Sequence, residues 1–76
     1  MNYYVIYRCP KDYPDELVMR KYTINGDGSI KPHDNPYVSD SLEVLRRSVP
    51  SGLVCVPASK NDDPVIVETW LWDTRL

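Results

Sequence analysis

Seventy-six residues make one domain with a thin core, because a chain of this length buries only about 60–65% of its unfolded surface. That leaves little room for an enclosed substrate cavity, which usually needs about 300 Å³ or more. A hydrophobic share of 42% with eight aromatics (six Tyr, two Trp, no Phe) excludes a disordered chain, and a net charge of -2 excludes a global field drawing it to nucleic acid or anionic membranes.

The first element is strand-like from Tyr3 to Arg8, where Tyr, Val and Ile favour extended backbone and Cys9-Pro10 ends the run. A polar loop from Lys11 to Glu16 leads to a second strand, Leu17 to Ile24. Asn25-Gly26-Asp27-Gly28 is a turn, since Asn and Gly tolerate positive φ, and it leads into a short third strand around Ser29-Ile30-Lys31. Pro32 to Pro36 is read as loop. Asp40 with Glu43 three residues on reads as a capping box. Leu42, Leu45 and Val49 follow helical spacing, Arg46 and Arg47 complement the dipole of the last turn, and Pro50 with Gly52 stops a helix of about nine residues. Leu53 to Val56 is a fourth strand, Pro57 to Pro64 a loop, and Val65 to Trp72 a fifth strand. The expected fold is α+β: a mainly antiparallel sheet of four to five strands with one short helix on one face, all within a single domain, 1–76.

The last strand is amphipathic in an unusual way. Alternation puts Val65, Val67, Thr69 and Leu71 on one side and Ile66, Glu68, Trp70 and Trp72 on the other. One short helix covers one face of a sheet. With Glu68 among them, the tryptophans are expected to face outward, half-wet, while Val65, Val67 and Leu71 turn toward the helix. The cover for the tryptophan side is then a loop of the same chain, a second copy pairing through the last strand, or a target protein.

Catalytic and metal chemistry find little support. Asn25, Asp27 and Gly28 resemble the centre of a calcium loop, but Thr23 stands where the first carboxylate is needed and Lys31 adds a positive charge. His33-Asp34 lies in a Pro-flanked loop, with nothing to bring Cys9 or Cys55 to it. The two cysteines read as reduced thiols, Cys55 in a buried strand. Asp62-Asp63 and Asp15-Glu16 read as solvated loop acids; with Asp12 they allow a minor acidic-decoy role. No catalytic residue, metal or cofactor is assigned, and the chain is read as non-enzymatic.

Tyr and Trp, rings with a polar handle, suit interfaces, as does Arg. Trp70, Trp72, Tyr4, Arg20 and Glu68 are therefore the expected partner-binding set. The partner is expected to be a protein, with a homodimer as one form. The alternative is a single-stranded RNA or DNA sheet module using Tyr/Trp stacking with Arg and Lys, which the charge makes the lesser reading. Without a basic leader or an apolar span of about 20 residues, cytoplasm is the expected location.

Pro10-Lys11-Asp12-Tyr13-Pro14, together with the run from Asp62 to Leu71, resembles short bacterial and phage proteins that carry no assigned activity. The format of one compact α+β domain without catalytic motifs is similar to phage-encoded inhibitors such as anti-CRISPR proteins. That resemblance implies an inhibitor or adaptor and brings no site residues.

Overall fold

In the computed structural model, which describes residues 1–72, the elements run β1 (Asn2–Arg8), β2 (Leu17–Ile24), β3 (Ile30–Pro32), β4 (Tyr37–Ser39), α1 (Leu42–Ser48), β5 (Leu53–Pro57) and β6 (Ile66–Trp72). All pair antiparallel in one six-stranded sheet of order β3-β2-β1-β6-β5, with β4 also paired to β2. The α+β reading holds at the level of a mainly antiparallel sheet carrying one short helix. The strand count exceeds the expected four to five because Tyr37–Ser39 is a strand. It pairs with the first half of β2, through Leu17, Val18 and Met19, while β3 pairs with the second half, through Tyr22, Thr23 and Ile24.

The β2–β3 turn closes on its own polar groups. Gly28 takes φ 89°, its N–H donates to the Asn25 carbonyl, and Asn25 N–H donates to the Ser29 carbonyl. Asn25 Nδ2 donates to Ser29 Oγ, and the Ser29 hydroxyl and N–H both donate to Asp27 Oδ1, which holds the exposed Asp27 carboxyl below the usual carboxylate range. The calcium-loop resemblance is thus a self-satisfied hairpin turn.

Helix α1 starts one residue later than expected. Ser41, in extended conformation, caps it by accepting from Val44 N–H, and Glu43 pairs with Arg47 one turn on instead of closing a box with Asp40. It spans seven residues, not nine, and a helix that short is held by packing rather than by propensity. Leu45 supplies that packing. It is 1% exposed and sits in one cluster with Tyr4, Ile6, Leu17 and Met19, with Leu42, Val49 and Trp70 at the margin.

Register assigns the faces. Tyr4, Ile6, Leu17 and Met19 lie under the helix, and their cross-strand partners Trp70 and Glu68 therefore lie there too. Tyr3, Val5, Tyr7, Val18, Arg20, Tyr22, Thr69 and Leu71 point to the opposite face, which no helix among the described residues covers. A bulge in β6 complicates the alternation: Ile6 pairs Glu68 but Tyr7 pairs Ile66, leaving Val67 as the extra residue. Ile66 thereby moves to the open face, away from Glu68, and Val67 packs against the core.

Leu45→Ala removes the helix's single fully buried side chain and is expected to cost about 2–5 kcal/mol, most of the stability of a domain this small. Urea unfolding followed by circular dichroism checks this; a loss below about 1 kcal/mol shows that the helix does not depend on the Leu45 anchor.

Candidate functional site

The five residues expected to form one binding face are divided between two. Tyr4 and Glu68 are buried beneath the helix, Trp70 is packed at the core margin, and Trp72 lies half-buried on the same side. Only Arg20 is on the open face. The outward orientation expected for the tryptophan side is therefore reversed. Glu68, Trp70 and Trp72 turn toward the helix, and Thr69 and Leu71 turn away.

The reason is a polar cluster within the helix-side core. Arg46 grips Glu68 through both carboxylate oxygens, Nη2 to Oε1 at 2.7 Å and Nε to Oε2 at 3.1 Å. Trp70 Nε1–H donates to Oε2 at 2.7 Å. Glu68 is 4% exposed, so its charge needs these partners, and no buried side-chain nitrogen or oxygen among the described residues lacks one. The Arg46 bond, ahead of all else, holds the Glu68 carboxyl below the usual range, and the same bond raises the Arg46 guanidinium. Burial first, then the Glu68 charge, pushes the neighbouring Cys55 thiol up. Arg46 at the end of the helix thus finds a specific partner, well beyond a dipole effect.

Beside this cluster, beyond the C-terminal end of α1, a concavity of about 370 Å³ is lined chiefly by Met1, Tyr4, Pro50, Leu53 and Trp72. Asn2 and Ser51 complete its lining.

The open face carries a different aromatic group. Tyr3 and Tyr22 stack with ring centroids 5.1 Å apart and planes 16° from parallel, and the Tyr22 and Tyr7 hydroxyls hydrogen-bond at 2.7 Å. Burial and the Tyr22 hydroxyl raise the Tyr7 phenol far above its ordinary value, so it stays protonated at any physiological pH. Arg20 Nη2 meets Asp12 Oδ2 at 2.6 Å, tying the β1–β2 loop to this side. Val5 and Val18 are buried between these longer side chains, whereas Val38, Val54 and Val56 stay exposed. Sequence reasoning places Tyr3, Tyr7 and Tyr22 among the stacking rings of the nucleic-acid alternative but not in the expected partner-binding set. Their common odd–even phase across a predicted hairpin was the available signal.

The remaining candidates are scattered. His33 Nε2 lies 2.7 Å from Thr23 Oγ1 at the β3 edge, and Cys55 is on β5 at the other edge, four strand spacings or about 19 Å away. Cys55 is exposed because β5 is an edge strand, correcting the buried-strand expectation. Cys9, also exposed, holds a left-handed φ of 49° where its N–H donates to the Glu16 carbonyl and closes the β1–β2 loop. Both cysteines are free thiols. Asp62 and Asp63 accept from Ser59 N–H and Val65 N–H, so they cap loop backbone. Among the described residues, no three His, Cys, Asp or Glu side chains gather as metal ligands, and no helix is long and apolar enough to cross a membrane.

Because the folded Glu68 carboxyl titrates below its unfolded value, its contribution to stability is complete above the unfolded value. It is lost as pH falls through the lower folded one. Glu68→Gln is expected to melt well below the parent chain at pH 7 and to converge with it as pH falls through the lowered range of the folded carboxyl. Thermal melts across that range check the point; a constant gap shows that the charge is not what Glu68 contributes. No protein-family model, curated protein or solved structure matches this chain.

Proposed function

We propose that the chain is a non-catalytic protein-binding module, an inhibitor or adaptor, that docks a partner protein on the open face of its sheet. The observation that supports this reading is the uncovered Tyr3–Tyr22–Tyr7 group with Arg20 beside it, set in a field of valines. Rings held in place by a stack, Tyr3 on Tyr22, or by a hydroxyl bond, Tyr7 to Tyr22, are rigid anchors that lose little entropy on binding. The binding set is therefore Tyr3, Tyr7, Tyr22 and Arg20, in place of the tryptophan side.

A single-stranded nucleic acid is the poorer fit to the same face. Base stacking needs free ring faces and free cations. Here Tyr3 and Tyr22 stack on one another, Arg20 is neutralised by Asp12, and the chain carries a net charge of -2.

The test is an affinity capture comparing the parent chain with Tyr3→Asp and Arg20→Glu, using Arg47→Ala on the outer side of the helix as control. Partner recovery is expected to fall about tenfold or more, a change of about 1.4 kcal/mol, for the two sheet variants alone, with all four chains melting cooperatively. Equal capture by all four overturns the assignment of the face. Salt-sensitive binding of an oligonucleotide that Tyr3→Asp abolishes replaces the protein reading by the nucleic-acid one.

A further inference from the structure

The two edges of the sheet are built differently. At the β2 edge the outer strands are two three-residue pieces, β3 and β4, interrupted by His33 to Pro36 and carrying Lys31, Pro32 and Pro36 close together. Short strands, lysine and proline are the usual means of keeping an edge from pairing. The β5 edge has none of these before its last residue. Leu53-Val54-Cys55-Val56-Pro57 is uncharged, and Val54, Cys55 and Val56 are all exposed.

Its backbone pattern can be read from the ladder with β6. Ala58 N–H donates to the Val67 carbonyl, in line with the register Pro57↔Glu68, Cys55↔Trp70 and Leu53↔Trp72. Antiparallel pairs alternate between hydrogen-bonded and non-bonded, so Val56 and Val54 bond β6, whereas Leu53, Cys55 and Pro57 aim their backbone groups outward. The free edge thus offers the N–H groups of Leu53 and Cys55 and the carbonyls of Leu53, Cys55 and Pro57. Pro57 has no N–H to leave unpaired.

We propose that β5 is a self-pairing edge that joins two copies of this chain antiparallel across a two-fold axis at Cys55. In that register each Cys55 N–H donates to the Cys55 carbonyl of the other copy, and each Leu53 N–H donates to the other's Pro57 carbonyl. Every outward N–H is then satisfied, and the Leu53 carbonyl opposite Pro57, which has no N–H to give, is left to solvent. Val54 stands opposite Val56 of the second copy, twice, in non-bonded pairs where side chains approach most closely. A second copy suits this edge because its donors, acceptors and valines are complementary to themselves about one residue and no like charges meet. The last strand cannot serve, since β6 is paired on both sides, by β1 and β5. This inference is independent of the tyrosine-face reading.

Sedimentation of the intact chain from about 10 µM to about 1 mM is expected to show a concentration-dependent dimer. Val54→Lys with Val56→Lys sets lysine against lysine at exposed positions and is expected to leave a monomer with an unchanged melt. A parent chain monomeric throughout, or a folded double-lysine variant that still dimerises, overturns the proposal. Should that variant unfold, Cys9→Ser treated with diamide decides: opposed residues of a bonded pair lie about 5.5 Å apart between Cα atoms, within disulfide reach. A Cys55-linked dimer is expected, and its failure to form in a chain that dimerises overturns the register. Arg20→Glu is expected to leave the dimer intact, which separates this result from the fate of the open face.

Discussion

A buried carboxylate organises this domain. Glu68 is buried on the helix side of the sheet, beside the apolar core, and its charge is tolerable there because Arg46 and Trp70 occupy both of its oxygens. Arg46 comes from a helix too short to persist alone, and Trp70 comes from the same strand as Glu68. The cluster therefore joins the helix to a strand distant in sequence. It also fixes which side of β6 looks inward: turning the strand over would take Trp70 off the core and leave Arg46 without its partner. A fully apolar contact of the same size could have been as stable, but it would not discriminate between the two faces so sharply.

Much of the local structure was legible in the residues, because strand and turn chemistry is local. Tyr3–Arg8, Leu17–Ile24, the Asn25–Gly28 turn and the stop at Pro50 and Gly52 all follow from residue type and spacing. Tyr37–Ser39 was not, because three residues after Pro36 carry no alternation; their strand character comes from the β2 edge they pair with. The site was less legible than the fold. A lone glutamate in an apolar strand reads as a solvent marker, and its burial depends on an arginine 22 residues earlier. The informative pattern was a carboxylate two residues before a tryptophan, with an arginine at the end of α1.

The order β3-β2-β1-β6-β5 accounts for the rest of the misplacement. It puts the N-terminal strand in the middle and pairs it with the last, a non-local contact that local patterning does not encode. Once that pairing forms, Tyr4 and Trp70 must share the helix side, and Tyr3, Tyr7 and Tyr22 must share the other. The aromatic residues are thus sorted by register into core and surface groups, although their types alone do not distinguish the two.

The bulge at Val67 has a bearing on how the chain tolerates length changes. Upstream of it, Ile66 follows the phase set by Tyr7; downstream, Glu68 follows the phase set by Ile6. One residue of slack separates two stretches that must each stay in phase. Losing Thr69 would swing both tryptophans to the side of the sheet opposite the carboxylate. Losing Val67 itself would straighten the strand and take one side chain from the core margin while leaving both stretches in phase, so the chain has a joint here at which its reading frame against β1 can shift without turning Glu68 or Trp70 over.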